Sequence, residues 1–197
     1  MLKKIFALIV IIPLLSSCVS QSSPVSPTTS QTEEPIDHII IQGEIYDISL
    51  SELYLSGREL TDTDIEPLKY MINLTELYLH NNQITDIQAI SGLTGLTKLN
   101  LNGNHITDIN PFDNLTGLTS LGLDVSQINN FDILGNLTNL TALELYSSSN
   151  QIAELDSISN LIKLAHLDLI DVPLKNLDFL SGLTGSSAKR RIALSAM

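Results

Sequence analysis

A repeat of 22 residues constrains the fold of this chain more than any other feature of its sequence. Residues 73–87 read NLTELYLHNNQITDI, and the closely similar GLTKLNLNGNHITDI follows at 95–109. Both segments share the pattern Leu-x-x-Leu-x-Leu-x-x-Asn-x-Ile. Self-similarity with a period of about 20 to 50 residues is the signature of a solenoid, in which each repeat buries its apolar face against the next. We therefore expect a core built by stacking repeats.

Further repeats align through pairs of leucines two residues apart. The pairs are Leu53/Leu55, Leu77/Leu79, Leu99/Leu101, Leu121/Leu123, Leu143/Leu145 and Leu167/Leu169. The intervals are 24, 22, 22, 22 and 24 residues, and each longer one carries two extra residues in an expected turn, at 61–64 or 146–149. Between the pairs, apolar residues recur at every third position, a spacing that favours 3₁₀ turns over α-helices.

This pattern, with the Thr-Asp-Ile that ends each segment, resembles the leucine-rich repeat of the bacterial internalin type. The resemblance covers about residues 48–185. It implies an α/β-type horseshoe solenoid, with a concave parallel β-sheet of about six strands and 3₁₀ or irregular convex turns. It also implies a structural ladder of buried asparagines at Asn82, Asn104 and Asn150. The equivalent positions of the other repeats hold Arg58, Ser126 and Val172. The ladder should therefore break at both ends and once in the middle.

Residues 1–17 have the composition of a lipoprotein signal peptide. Lys3 and Lys4 precede an apolar run at 5–15 that is too short to span a membrane stably. The sequence LSSC at 15–18 resembles the bacterial lipobox, which implies cleavage before Cys18 and lipidation of that residue. Two or more acyl chains would anchor the protein stably to a cell membrane or outer membrane. The alternative is an ordinary secreted protein with a chance cysteine.

Three more segments follow from composition. Residues 18–35 comprise the lipidated cysteine and a disordered tether. The tether is predicted because 13 of the 17 residues in 19–35 are Ser, Thr, Gln or Pro. Residues 36–48 alternate around a Gln-Gly turn, which predicts a hairpin acting as N-terminal cap. The repeat domain itself is predicted at 49–185.

Residues 186–197 form an atypical tail. The Leu-Thr-Gly at 183–185 is followed by Ser186, where other repeats have Leu, and Lys189 and Arg191 stand where the next strand leucines are expected. A solenoid end without a cap exposes a strand edge. Either the gene was truncated or frame-shifted near Gly185, or the tail folds over this edge.

The charge of the chain disfavours one class of partner. It has 22 acidic and 10 basic residues, and removal of 1–17 leaves 8 basic residues and a formal net charge of −14. Because phosphate binding depends on Lys and Arg, we do not expect nucleic acid as a partner. His80, His105 and His166 lie on different repeats without paired cysteines, so we expect no metal site. No motif for a cofactor or a catalytic nucleophile occurs, and the chain is not expected to be an enzyme.

Function is expected on the concave face, where strand residues between the core leucines point outward. Exposed tyrosines are typical binding anchors, and acidic residues lie on the later strands. The predicted ligand-binding residues are Tyr54, Glu76, Tyr78, His80, Asn100, Asp124, Glu144, Tyr146 and Asp168. The sequence thus predicts a membrane-anchored, extracytoplasmic protein that binds another protein through this face. Envelope glycan binding, a passive surface spacer and a non-functional truncated fragment are the alternatives.

Overall fold

The computed structural model describes residues 36–149, 153–184 and 191–195. The predicted signal peptide, lipidated Cys18, tether and Asn150 lie outside these residues.

The described chain begins with a β-hairpin. Strand β1 (His38–Ile41) pairs antiparallel with β2 (Glu44–Asp47). The turn between them has positive φ at both central residues, 48° at Gln42 and 82° at Gly43. Alternation along β1 turns Ile39 and Ile41 into the core, where they are 4% and 1% exposed.

Seven parallel strands form the second sheet in sequential order. They are β3 (Glu52–Tyr54), β4 (Glu76–Tyr78), β5 (Lys98–Leu101), β6 (Ser120–Asp124), β7 (Ala142–Tyr146), β8 (His166–Ile170) and β9 (Arg191–Ser195). The first leucine of each predicted pair lies in one of the first six strands, in register with its equivalents, and the second leucine lies in or directly after the same strand. This confirms the leucine-rich-repeat solenoid with its parallel sheet.

The seventh strand corrects the prediction for the tail. Ile192 pairs with Leu167 and Leu194 with Leu169, so Ile192 and Leu194 take the positions that were predicted for Lys189 and Arg191. The prediction was wrong because it kept the repeat period, whereas the interval from Leu167 to Ile192 is 25 residues.

The connections on the other side of the repeats are short. A single α-helical turn, α1 (Asp62–Ile65), lies where the first long repeat carries its extra residues. The 3₁₀ helices span Glu66–Tyr70, Gln88–Ile90, Asn110–Asn114, Asp132–Asn136, Asp156–Asn160 and Asp178–Thr184. The predicted preference for 3₁₀ turns is confirmed.

The core lies between the sheet and these turns. Strand leucines such as Leu77 and Leu79 meet turn residues such as Ile87 and Ile90, and all four are fully buried. Burial of one such side chain stabilises the fold by about 1.5–3 kcal/mol. Since each repeat supplies the same set, stacking extends one continuous core.

Buried asparagines join successive repeats. The Asn82 Oδ1 accepts hydrogen bonds from the backbone N–H groups of Arg58 (3.0 Å) and Leu60 (3.1 Å). Its Nδ2 donates to the carbonyls of Leu55 (3.0 Å) and Leu79 (2.8 Å). The side chain is 5% exposed. One amide thus satisfies backbone groups of two adjacent repeats.

Asn104 repeats this arrangement one turn later. It is 3% exposed, accepts from the backbone N–H of Ile84 and donates to the carbonyls of Leu79 and Leu101. The next equivalent residue is Ser126, whose hydroxyl bonds the side chains of Asp124 and Ser148 and accepts from the backbone N–H of Ser148. The amide pattern seen at Asn104 therefore does not continue at this position.

A second ladder was not predicted. Four threonine hydroxyls each donate to a backbone carbonyl of the preceding repeat, at a distance of 3.0 Å. They belong to Thr75, Thr97, Thr119 and Thr141. Each threonine immediately precedes the start of a strand. The corresponding residue before β8 is Ala165, which has no hydroxyl to continue the ladder.

Candidate functional site

The strand register sorts the outward-facing residues into columns that run across the sheet. The first column holds Glu52, Glu76, Lys98, Ser120, Ala142 and His166. The second holds Tyr54, Tyr78, Asn100, Gly122, Glu144 and Asp168. In a third, Asp124, Tyr146 and Ile170 lie in register. Parallel pairing thus places equivalent residues of successive repeats side by side, about 4.8 Å apart.

Two tyrosines stack at the first strands of the sheet. The rings of Tyr54 and Tyr78 are parallel within 4°, and their centroids lie 4.7 Å apart. Each hydroxyl donates to a carboxylate of its own strand, Tyr54 to Glu52 at 2.9 Å and Tyr78 to Glu76 at 2.8 Å. Tyr54 remains 58% exposed. The pair therefore presents a rigid aromatic surface to solvent.

One of the two carboxylates next to this stack, that of Glu76, has a cationic partner. The Lys98 ammonium lies 2.8 Å from the Glu76 carboxylate. Its hydrogen bond, together with that of Tyr78, lowers the pKa of Glu76. The same carboxylate raises the pKa of Tyr78, as Glu52 does for Tyr54. Near neutral pH, these tyrosines are consequently neutral donors and Glu76 is ionised.

A hollow opens in the middle of the sheet because three small residues meet there. Ser120, Gly122 and Ala142 lie on β6 and β7, and with the core leucines they form the floor of a cavity of about 140 Å³. We call it the central hollow. Its polar rim consists of Tyr78, Lys98, Asn100, Glu144, His166 and Asp168.

The far rim of the central hollow is acidic. Glu144 and Asp168 are neighbours in register on β7 and β8. Glu144 accepts a hydrogen bond of 2.8 Å from the Asn102 amide, which reaches across from β5. The Asp168 Oδ1 and the Asn102 Oδ1 are buried, and neither has a hydrogen-bond partner. In the described part of the chain, no salt bridge involves either carboxylate of this rim.

The nine residues proposed from sequence are divided among three places. Tyr78, Asn100, Glu144 and Asp168 line the central hollow. Tyr54 and Glu76 belong to the tyrosine stack and its polar partners. Asp124 and Tyr146 belong to the third column, and His80 lies two residues beyond the end of β4.

Two of these last three residues, His80 and Asp124, are held by internal hydrogen bonds. His80 Nδ1 lies 2.8 Å from the Ser56 hydroxyl. Asp124 is only 7% exposed and accepts hydrogen bonds from the backbone and hydroxyl of Ser126. Asp124 therefore stabilises a turn, and it exposes little surface. Tyr146 is half-buried beside it.

Sequence reasoning missed the residues that create the hollow. Lys98 and His166 contribute to the rim, and Ser120, Gly122 and Ala142 to the floor. The signal was available, since the aligned columns show small residues at neighbouring positions of two successive repeats. The predicted site rested on large and charged side chains, which do not mark the gap between them.

Two other kinds of site were searched for among the described residues. No group of three or more His, Cys, Asp or Glu side chains there is placed to hold a metal ion. Within the same residues, no helix has the length and apolar character needed to cross a membrane.

Comparison with known families identifies the repeats. A family model described as "Leucine Rich repeats (2 copies)" matches residues 48–92 and 72–114. No curated protein matches significantly. The matched family and the similar solved structures indicate no catalytic family.

Solved structures of two internalins from Listeria monocytogenes are similar. An internalin (inlF) is 28% identical with a TM-score of 0.61, and the match covers 73% of this chain and 49% of that chain. Internalin C2 (inlC2) is 27% identical with a TM-score of 0.55, covering 77% and 78% respectively. This chain thus spans about half the length of the first internalin.

A plant receptor is also similar. The ectodomain of the Arabidopsis receptor kinase HAESA, solved in complex with a peptide hormone ligand, is 27% identical with a TM-score of 0.53. The match covers 66% of this chain and 23% of that chain.

Proposed function

We propose that this leucine-rich-repeat protein is anchored by lipid outside the cytoplasm and binds a protein ligand on its concave face. The observation that carries the proposal is the placement of an exposed tyrosine stack beside the central hollow on one continuous sheet. Rigid aromatic side chains next to a concavity are typical anchors of protein interfaces.

The similar structures support this proposal by analogy. The HAESA ectodomain holds a peptide hormone in its solved complex. The internalin inlF has a higher TM-score with this chain, 0.61, than that receptor has. Because one fold serves many functions, the site itself carries the proposal and the analogy only adds to it.

Photo-cross-linking tests where a ligand binds. A photoreactive phenylalanine derivative placed at Tyr54 of the full chain in its host cell should form a covalent adduct with a protein. The same derivative at Tyr70, another exposed tyrosine that lies in a 3₁₀ turn, is the matched control. Tyr78→Ala should reduce the adduct at position 54. Equal adducts at both positions would refute a concave-face site, and an adduct to polysaccharide would establish the glycan alternative.

The anchor is tested separately. Cys18 is the only cysteine of the chain, so Cys18→Ser removes the proposed lipidation site without a competing thiol. Metabolic labelling with an alkyne-tagged palmitate should mark the unaltered protein and the control Ser22→Ala, but not Cys18→Ser. The unlabelled variant should also leave the membrane fraction. Equal labelling of all three proteins would disprove the anchor and leave the ligand proposal untouched.

A further inference from the structure

We propose that the central hollow receives one arginine side chain of the protein ligand. This inference rests on the proposed function, because it names the chemistry that the concave face would recognise. Its three supports are the shape of the hollow, the pair of carboxylates on its far rim and the unpaired acceptor of Asp168.

The shape is that of a socket for a single side chain. On the floor, Gly122 has no side chain and Ala142 has only a Cβ atom, while the residues of the rim have longer side chains. A Cβ added at Gly122 would lie 3.0 Å from the ends of the Asn100 and Asn102 side chains. The opening over Gly122 is therefore narrow, and a slender side chain enters it more readily than a bulky surface does.

The two carboxylates of the far rim favour a cationic ligand. Glu144 and Asp168 sit side by side, and like charges at neighbouring positions of a sheet destabilise it. The nearest described ammonium on the rim, that of Lys98, is already paired with Glu76 at 2.8 Å. A cationic side chain from the ligand would relieve the repulsion between the two carboxylates.

An unpaired oxygen in the lining indicates a ligand group that only donates. The Oδ1 atom of Asp168, a residue that lines the hollow, is a buried acceptor without a donor. A buried polar atom without a hydrogen bond is costly, so a donor supplied by the ligand is favoured. Guanidinium offers five N–H donors in a planar fork, has no acceptor and can bond two carboxylates at once. Lysine supplies a single point charge with three donors, which matches a pair of carboxylates less well.

Small peptides test the chemistry without knowledge of the natural partner. Acetyl-Gly-Arg-Gly-amide is titrated into the isotope-labelled full chain in detergent micelles, and amide chemical shifts are followed by NMR. We expect saturable shifts centred on Gly122, Glu144 and Asp168. The citrulline peptide, which has the same shape without the charge, should bind at least tenfold more weakly. Equal binding of the citrulline or lysine peptide, or shifts centred elsewhere, would overturn the inference.

Variants locate the binding to the two carboxylates. Glu144→Gln and Asp168→Asn keep the size of each side chain and an acceptor oxygen, and each should weaken arginine-peptide binding at least fivefold. Glu59→Gln removes the same charge from an exposed turn and is the matched control. Gly122→Ala, which fills the floor, should also weaken binding. Binding that survives both carboxylate changes would refute the pocket.

The melting temperature separates a pocket from a structural role. If the carboxylates face an empty socket, Glu144→Gln and Asp168→Asn should melt at or above the temperature of the unaltered chain, since repulsion is removed. If they support the fold, both should melt at a lower temperature, and the inference fails.

The cross-linking experiment keeps this inference distinct from the proposed function. A protein adduct at position 54 that persists with Glu144→Gln and Asp168→Asn would sustain the concave-face function and overturn the arginine pocket. Arginine-peptide binding without any protein adduct would overturn the proposed function while the cation socket stands.

Discussion

At the scale of single residues, buried amides fix how one repeat stacks on the next. Asn104 is 3% exposed and bonds backbone groups of its own repeat and of the preceding one. Replacement by Ala removes the acceptor of the Ile84 N–H and one donor from each of the Leu79 and Leu101 carbonyls, although Leu79 keeps its bond from Asn82. Because each lost bond costs about 1 kcal/mol, Asn104→Ala should lower the free energy of unfolding by about 3 kcal/mol. Urea denaturation followed by circular dichroism measures this loss.

The control for this change is Asn114→Ala. Asn114 is exposed at the end of a 3₁₀ helix, so its replacement should change the free energy of unfolding by less than about 0.5 kcal/mol. Similar losses for both variants would mean that the buried amide adds nothing particular to the stacking of repeats.

Single residues also show where a repeat pattern stops being informative. The burial of Asn82 and Asn104 agrees with the pattern because the amide serves backbone groups whose positions the repeat fixes. The role of Asp124 did not emerge, since its carboxylate bonds Ser126, a residue that departs from the pattern. Where a residue differs from the repeat consensus, its neighbours form hydrogen bonds that cannot be predicted from the repeat pattern.

At the scale of elements, the threonine ladder should add stability rung by rung. The Thr119 hydroxyl is partly buried and donates to the Thr97 carbonyl at 3.0 Å. Thr119→Val keeps the branched shape favoured in strands and removes the donor, so it should lower the free energy of unfolding by about 1 kcal/mol.

Ala165 offers the reverse experiment on the same ladder. Its backbone N–H already bonds the Thr141 carbonyl at 2.8 Å, in the same way as the residues of the ladder. Ala165→Thr should therefore extend the ladder and raise the free energy of unfolding by about 0.5–1 kcal/mol. A loss in place of this gain would show that the ladder depends on more than the missing hydroxyl.

The N-terminal hairpin provides a second element-scale prediction. Ile41 is 1% exposed and belongs to the core, whereas its neighbour Ile40 is 55% exposed. If the hairpin closes the first repeat, Ile41→Ala should cost about 2–5 kcal/mol by leaving a cavity. Ile40→Ala, the same chemical change on the other face of β1, should cost less than about 0.5 kcal/mol. Equal effects in chemical denaturation would contradict this role of the hairpin.

The elements differ in how far the sequence determines them. Six strands could be assigned because their leucines keep a nearly constant period, and β9 was misaligned because the chain between Leu167 and Ile192 exceeds that period. The tyrosine stack followed from two identical positions on adjacent strands. The central hollow did not, because an absence of side chains at Gly122 and Ala142 acquires meaning only once the strands are side by side.

At the scale of the whole repeat domain, each repeat contacts only its neighbours, so an open end loses half of its contacts. Strand β9 pairs along the full length of β8, from His166 to Ile170. Removing residues 186–197 would leave unpaired those backbone groups of β8 that face β9, and Leu167 and Leu169 would keep neighbours in register only on β7. Such an edge is a template for pairing with another chain.

The corresponding experiment compares two deletions. The chain lacking 186–197 should melt at least about 5 °C lower than the full chain and should form oligomers in light scattering after size exclusion. The chain lacking only 196–197, which leaves β9 intact, should behave as the full chain does. A monomer of unchanged melting temperature after the longer deletion would mean that β8 closes the repeat domain without β9. A lower melting temperature with oligomer formation would show that the tail acts as a cap. Its backbone hydrogen bonds would then shield β8, the last strand that carries a leucine pair.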